Sequence, residues 1–186
     1  MKEVDNVLRI LTETKKYLLE DKPYELKNLS NQTVHTAAVS QDPDNIIVAV
    51  LVYALSKVLE RDKYREMEGY SEFYSAVTKN LDLAVSSLEN NDVDACRNAL
   101  GKIRNSLNKI SSDLSRYIKD VFAKAEINKA FNLYEHGLST EKTAELLGVS
   151  LWELSSYIGQ STISEAKVAI CMPVKERVKM AEDFFR

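Results

Sequence analysis

Glycine and proline are scarce in this chain, five and three in 186 residues. That scarcity argues against a many-turned β architecture and favours long helices. Cysteine is scarcer still: Cys96 and Cys171 stand far apart and match no metal spacing. They exclude a disulfide framework and read as two reduced thiols. The longest uninterrupted apolar run, Ile46–Leu55, is about half of what a bilayer requires, so no membrane partner is expected. Strong charge of one sign is absent too. A formal net charge of −3 gives no global attraction to nucleic acid or anionic lipid, and any such attraction has to come from a local patch. The start of the chain, with Lys2, Glu3 and Asp5, does not read as a secretory leader, and a cytoplasmic protein is expected.

Catalytic motifs are missing as well. There is no phosphate loop, dinucleotide glycine motif or nucleophile elbow. His35 and His136 are the only histidines. His136 precedes Gly137 at an expected helix end, where a cation suits the dipole. His35 falls in a polar stretch with no Cys, Asp or Glu at ligand spacing. Glu66, Glu68 and Glu72 pair with no histidine, and Tyr64, Tyr70 and Tyr74 read as packing. No enzyme, cofactor or metal is expected.

What is present is helical periodicity. Val4, Val7, Leu8, Leu11 and Leu18 recur at helical spacing and predict a helix over 3–20, stopped by Asp21–Pro23. One more turn is expected near Tyr24–Leu29, then a polar loop from Ser30 to Asn45. Residues 44–61 are the apolar heart, and their length favours a helix buried nearly all round over a strand. Phe73, Val77, Leu81, Ala84 and Leu88 predict an amphipathic helix over 71–89, followed by a turn with Asp92 as N-cap. Cys96, Leu100, Ile103, Leu107, Ile110, Leu114, Tyr117 and Val121 alternate by three and four. That seam predicts one long rod running on toward Tyr134, with Gly101 its weak point. Lys167–Met172 reads as a short strand needing a partner strand, and Pro173 as the start of a terminal helix.

One segment points toward function. Leu138–Ile158 reads as a helix, a tight turn at Gly148-Val149-Ser150 and a second helix. Ala144 is small enough for close crossing. Gly148 suits a left-handed helix end. Ser150 and Glu153 form a capping box. Leu147, Leu154 and Ile158 supply the apolar face, whereas Thr140 and Thr143 read as solvent-facing or capping. On these residues, and on the approach Tyr134-Glu135-His136-Gly137-Leu138-Ser139, the stretch 124–158 resembles the small helix-turn-helix of prokaryotic regulators and antitoxin-type proteins. The rest of the chain is similar to uncharacterised helical proteins of archaea. The resemblance implies DNA binding and transcription regulation. Bases would be read by Ser150, Leu151, Trp152, Ser155 and Ser156, with Lys142 beside them.

The charges pull in two directions. Arg97 to Lys129 holds eight basic residues against Asp113, Asp120 and Glu126, and Lys102, Lys109 and Arg116 recur every seventh position as candidate phosphate contacts. The same pattern is also that of an ordinary solvated face. The second helix of the motif, by contrast, offers no Lys or Arg, and Leu151 and Trp152 suit a protein contact. Two readings stand: a helix-turn-helix DNA-binding regulator, or a non-enzymatic helical adaptor that docks a protein partner through Leu151–Trp152. The expected architecture is all-α. It comprises a bundle over 1–120, the helix-turn-helix over 121–160 and a tail over 161–186, with a homodimer as the expected form.

Overall fold

The computed structural model describes residues 1–106 and 112–165. Among these residues every regular element is a helix and there is no strand. The strand expected over 167–172, and the terminal helix after it, lie outside the described residues.

Helix α1 (Val4–Leu19) buries Val7, Leu11 and Leu18 of the predicted stripe together with Ile10 and Thr14, while Val4 and Leu8 are partly buried. Pro23 then opens α2 (Pro23–Ser40) at a position where its missing N–H costs nothing. Here the structure corrects the reading of 30–45 as a loop: α2 runs through it to Ser40. Its inward face carries Ser30 and Thr33, which hid the periodicity. Both are satisfied without water, Ser30 Oγ donating to the Ala49 carbonyl at 2.7 Å and Thr33 Oγ1 to the Leu29 carbonyl at 2.8 Å. His35 therefore sits on a helix, not in a loop.

Asp42 caps α3 (Pro43–Leu59) by accepting from the Asp44 amide. Of its seventeen residues only Pro43 and Ile47 are exposed, so α3 is the central post of the body. The short α4 (Asp62–Arg65) leads to α5 (Tyr70–Glu89), whose buried residues are the predicted five. Asp92 caps α6 (Val93–Ser106), its carboxylate accepting from the Ala95 amide at 2.9 Å. Arg97 ties α6 to the start of α3 with two bonds to Asp44, at 3.0 and 2.8 Å. That pairing holds the Asp44 carboxyl below its ordinary range.

The expected rod is the second correction. The helical stretch is recorded as α6 and then α7 (Ser112–Glu135). On one straight helix residues 104 and 126 would lie roughly 33 Å apart. Instead Arg104 Nη2 meets Glu126 Oε1 at 2.6 Å, so the chain reverses between the two helices. Of the seam residues described, Cys96, Leu100, Ile103, Leu114 and Val121 are buried, while Tyr117 is exposed and stacks on Tyr64. Leu107 and Ile110 lie outside the described residues.

One large core joins α1, α2, α3, α5, α6 and the first half of α7, as far as Ala125. The second half of α7 leaves that core to support the last two helices. Position 121, where a module boundary was expected, falls inside α7.

Candidate helix-turn-helix site

Gly137, at φ +94°, ends α7, and Ser139 caps α8 (Thr140–Leu147) by accepting from the Lys142 amide at 3.2 Å. Gly148 ends α8 at φ +66°, a conformation that costs a β-carbon-bearing residue about 1–2 kcal/mol. Ser150 then opens α9 (Leu151–Glu165). The capping box closes in both directions. The Glu153 amide donates to Ser150 Oγ at 3.1 Å, and the Ser150 amide donates to Glu153 Oε2 at 3.3 Å.

Three helices meet around a small core of Ala130, Ala144 and Leu154, with Leu147, Val149 and Ile158 packed against it. Ala144 is buried as its size suggested. Thr143 is the correction: it is fully buried, not solvent-facing, and its hydroxyl finds no hydrogen-bond partner among the described residues. Leu138 and Leu133 pack against Val34, Ala37 and Ile46, which fixes the module to α2 and α3.

The outer face is apolar and polar with little charge. Trp152 is 79% exposed and Leu151 47%. Ser150 and Ser155 are exposed and Ser156 is half-buried. The Ser150 hydroxyl is already committed, donating to Glu153 Oε2 at 2.6 Å. Between Thr140 and Gln160 the charged residues are Glu141, Lys142, Glu145 and Glu153. The one cation, Lys142, is paired with Glu145 at 2.8 Å. The proposed phosphate contacts do not form one stripe. Lys102 lies on α6, Arg116 on α7 beside Asp113 at 3.4 Å, and Lys109 outside the described residues.

Lys129, counted among the basic residues of the flank, is fully buried. Its Nζ donates to Asn31 Oδ1 at 2.9 Å and lies 4.1 Å from the centre of the Tyr53 ring. Burial, with Lys27 and Lys57 nearby, pulls its ammonium down to about 7. No sequence pattern marks it, because a lysine on an amphipathic helix ordinarily keeps its head in water. His136 Nδ1 lies 2.7 Å from the Asn132 carbonyl, as suits a helix end, and its ring meets His35 edge-on at 5.5 Å. No group of three or more His, Cys, Asp or Glu side chains suited to a metal occurs among the described residues. No helix among them is long and apolar enough to cross a membrane. No family description, curated protein or solved structure matches the chain.

Proposed function

We propose that this protein is a non-enzymatic helical adaptor whose helix-turn-helix module docks a protein partner through Leu151 and Trp152. The carrying observation is the pair itself. Two apolar side chains stand in solvent on the first turn of α9 and are held there by the Ser150–Glu153 capping box. A large aromatic presented on a rigid element loses little entropy when it enters a pocket, which is why tryptophan dominates many interface energies. The surroundings are acidic, so the complementary partner carries an apolar pocket with basic residues at its rim. The same charges oppose the DNA-binding regulator reading, because a phosphate-contacting face is normally basic.

The test pairs two measurements on the wild type and on Trp152→Ala. Binding to fragmented genomic DNA is titrated with salt, and a partner recovered by cross-linking is purified and its affinity measured directly. The adaptor reading expects no steep salt-dependent DNA binding and a partner affinity that drops by two or more kcal/mol, roughly thirtyfold, in the variant. Tight DNA binding that weakens steeply with salt and is lost in Trp152→Ala would overturn it in favour of the regulator.

A further inference from the structure

Two concavities flank α7, and their linings differ in charge. One, of about 220 Å³, is lined by Asp44, Arg97, Arg104 and Glu126 over apolar walls, and its charges cancel in pairs. The other, of about 530 Å³, lies between α3, α7 and α9 and is lined by Lys57, Arg61 and Lys124 with no Asp or Glu. Three cations converge in a chain whose overall charge is negative. Its size falls within the range of small-molecule sites, whereas the neutral one is below it.

The groove is built by helical spacing. Tyr53 and Lys57 stand four residues apart on α3, Arg61 follows beyond its end as the cap residue of α4 with Nη1 donating to the Tyr64 hydroxyl at 2.7 Å, and Lys124 and Asn128 face them from α7. Tyr157 of α9 closes one end, its hydroxyl 3.5 Å from Asn128 Nδ2 and its ring edge-on to Phe131. Lys57 and Lys124 form short-range pairs along the chain, to Glu60 at 2.6 Å and Asp120 at 2.8 Å, and Lys57 Nζ also lies 5.5 Å from the centre of the Tyr53 ring. Pairs of that kind contribute little and yield readily to a stronger anion. Lys129 Nζ lies 4.1 Å from the centre of the Tyr53 ring, but its burial disfavours the charged form.

We propose that this groove binds a small organic phosphate ester. The phosphoryl oxygens sit among Lys57, Arg61 and Lys124, where the guanidinium offers a two-pronged donor. The Tyr53 and Tyr157 hydroxyls and the Asn128 amide bond the organic part. The site is independent of the docking surface proposed above, although Tyr157 links it to the same helix.

Calorimetric titration tests the site on the full chain. The probes are inorganic phosphate, ribose 5-phosphate, glucose 6-phosphate and AMP, with a short DNA duplex alongside. At least one ester is expected to saturate the protein with an affinity roughly tenfold or more above that of inorganic phosphate. Lys57→Gln with Lys124→Gln should weaken that binding by about tenfold or more, with the helical circular dichroism intact. Lys102→Gln, outside the groove, should leave it unchanged. Esters that bind no better than inorganic phosphate, or binding indifferent to the double substitution, would overturn the proposal. So would duplex DNA binding alone and losing its affinity in the double variant, which would make the groove a nucleic-acid contact.

Discussion

Along α3 the apolar residues Ile46, Val48, Val50, Leu51, Val52, Leu55, Val58 and Leu59 are all buried, and Ile47 alone of the aliphatic run is exposed. Along α9, among residues 151–160, the fully buried apolar residue is Leu154, while Leu151 and Trp152 stand in water. Both helices look apolar as sequence. In the first, removal of that surface from water holds the body together. In the second, a small core of alanines and one leucine suffices, because caps at both ends of α8 and at the start of α9, with contacts to α2 and α3, position the module. An apolar residue there is available for a partner. The difference is one of packing partners, not residue type.

Truncating one aromatic in each region sharpens that contrast. Phe73, fully enclosed in the body core, should lose about 3–5 kcal/mol of stability as Phe73→Ala, read as a lowered denaturation midpoint at unchanged slope. A loss under about 1 kcal/mol would mean that the body core is far looser than its burial implies.

Lys129, between the body and the module, should act in the opposite direction. The fold holds its ammonium at about 7 against an ordinary 10.5, so the unfolded chain binds more protons between those values. This group's contribution to stability is therefore lowest below pH 7 and rises as pH climbs toward 10.5. Lys129→Met removes a penalty of as much as about 4 kcal/mol at pH 7. Asn31, which is exposed, regains water in its place. Urea unfolding should show the variant more stable than the wild type near pH 7, with the gap closing near pH 10. A variant that is less stable at both would show that the buried amine holds the helices together.

Within the module the effects are smaller. Gly148→Ala meets no neighbouring atom but keeps a left-handed φ, so it should cost about 1–2 kcal/mol, measurable as a reduced melting temperature. Trp152→Ala should change stability by less than about 0.5 kcal/mol, since its ring is in solvent already. A loss comparable to that of Phe73→Ala would erase the distinction between the two regions.

Much of this was legible from residue spacing, and the failures have physical causes. The stripes of α1 and α5, the buried α3, the Asp92 cap and the Gly148–Ser150 turn all follow from local rules. Helix α2 was missed because Ser30 and Thr33 face inward and bond to backbone carbonyls, so polarity no longer marked the outer face. The reversal between α6 and α7 was invisible because periodicity reports the phase of a helix and not its continuity. Arg104 and Glu126 reveal it only as a contact. Of the candidate site, the capping box and the exposure of Leu151 and Trp152 could be anticipated. The cationic groove could not, since α3, α7 and α9 bring together positions that are a hundred residues apart in sequence.

Trp152 is also the only indole in the chain. With this residue 79% exposed, its emission in the folded protein is expected to be that of an indole in water, and melting the body should hardly alter its colour. A shift to the blue would report one event, the covering of the first turn of α9. The molecule thus carries an optical probe that is silent to its own unfolding and responsive to company.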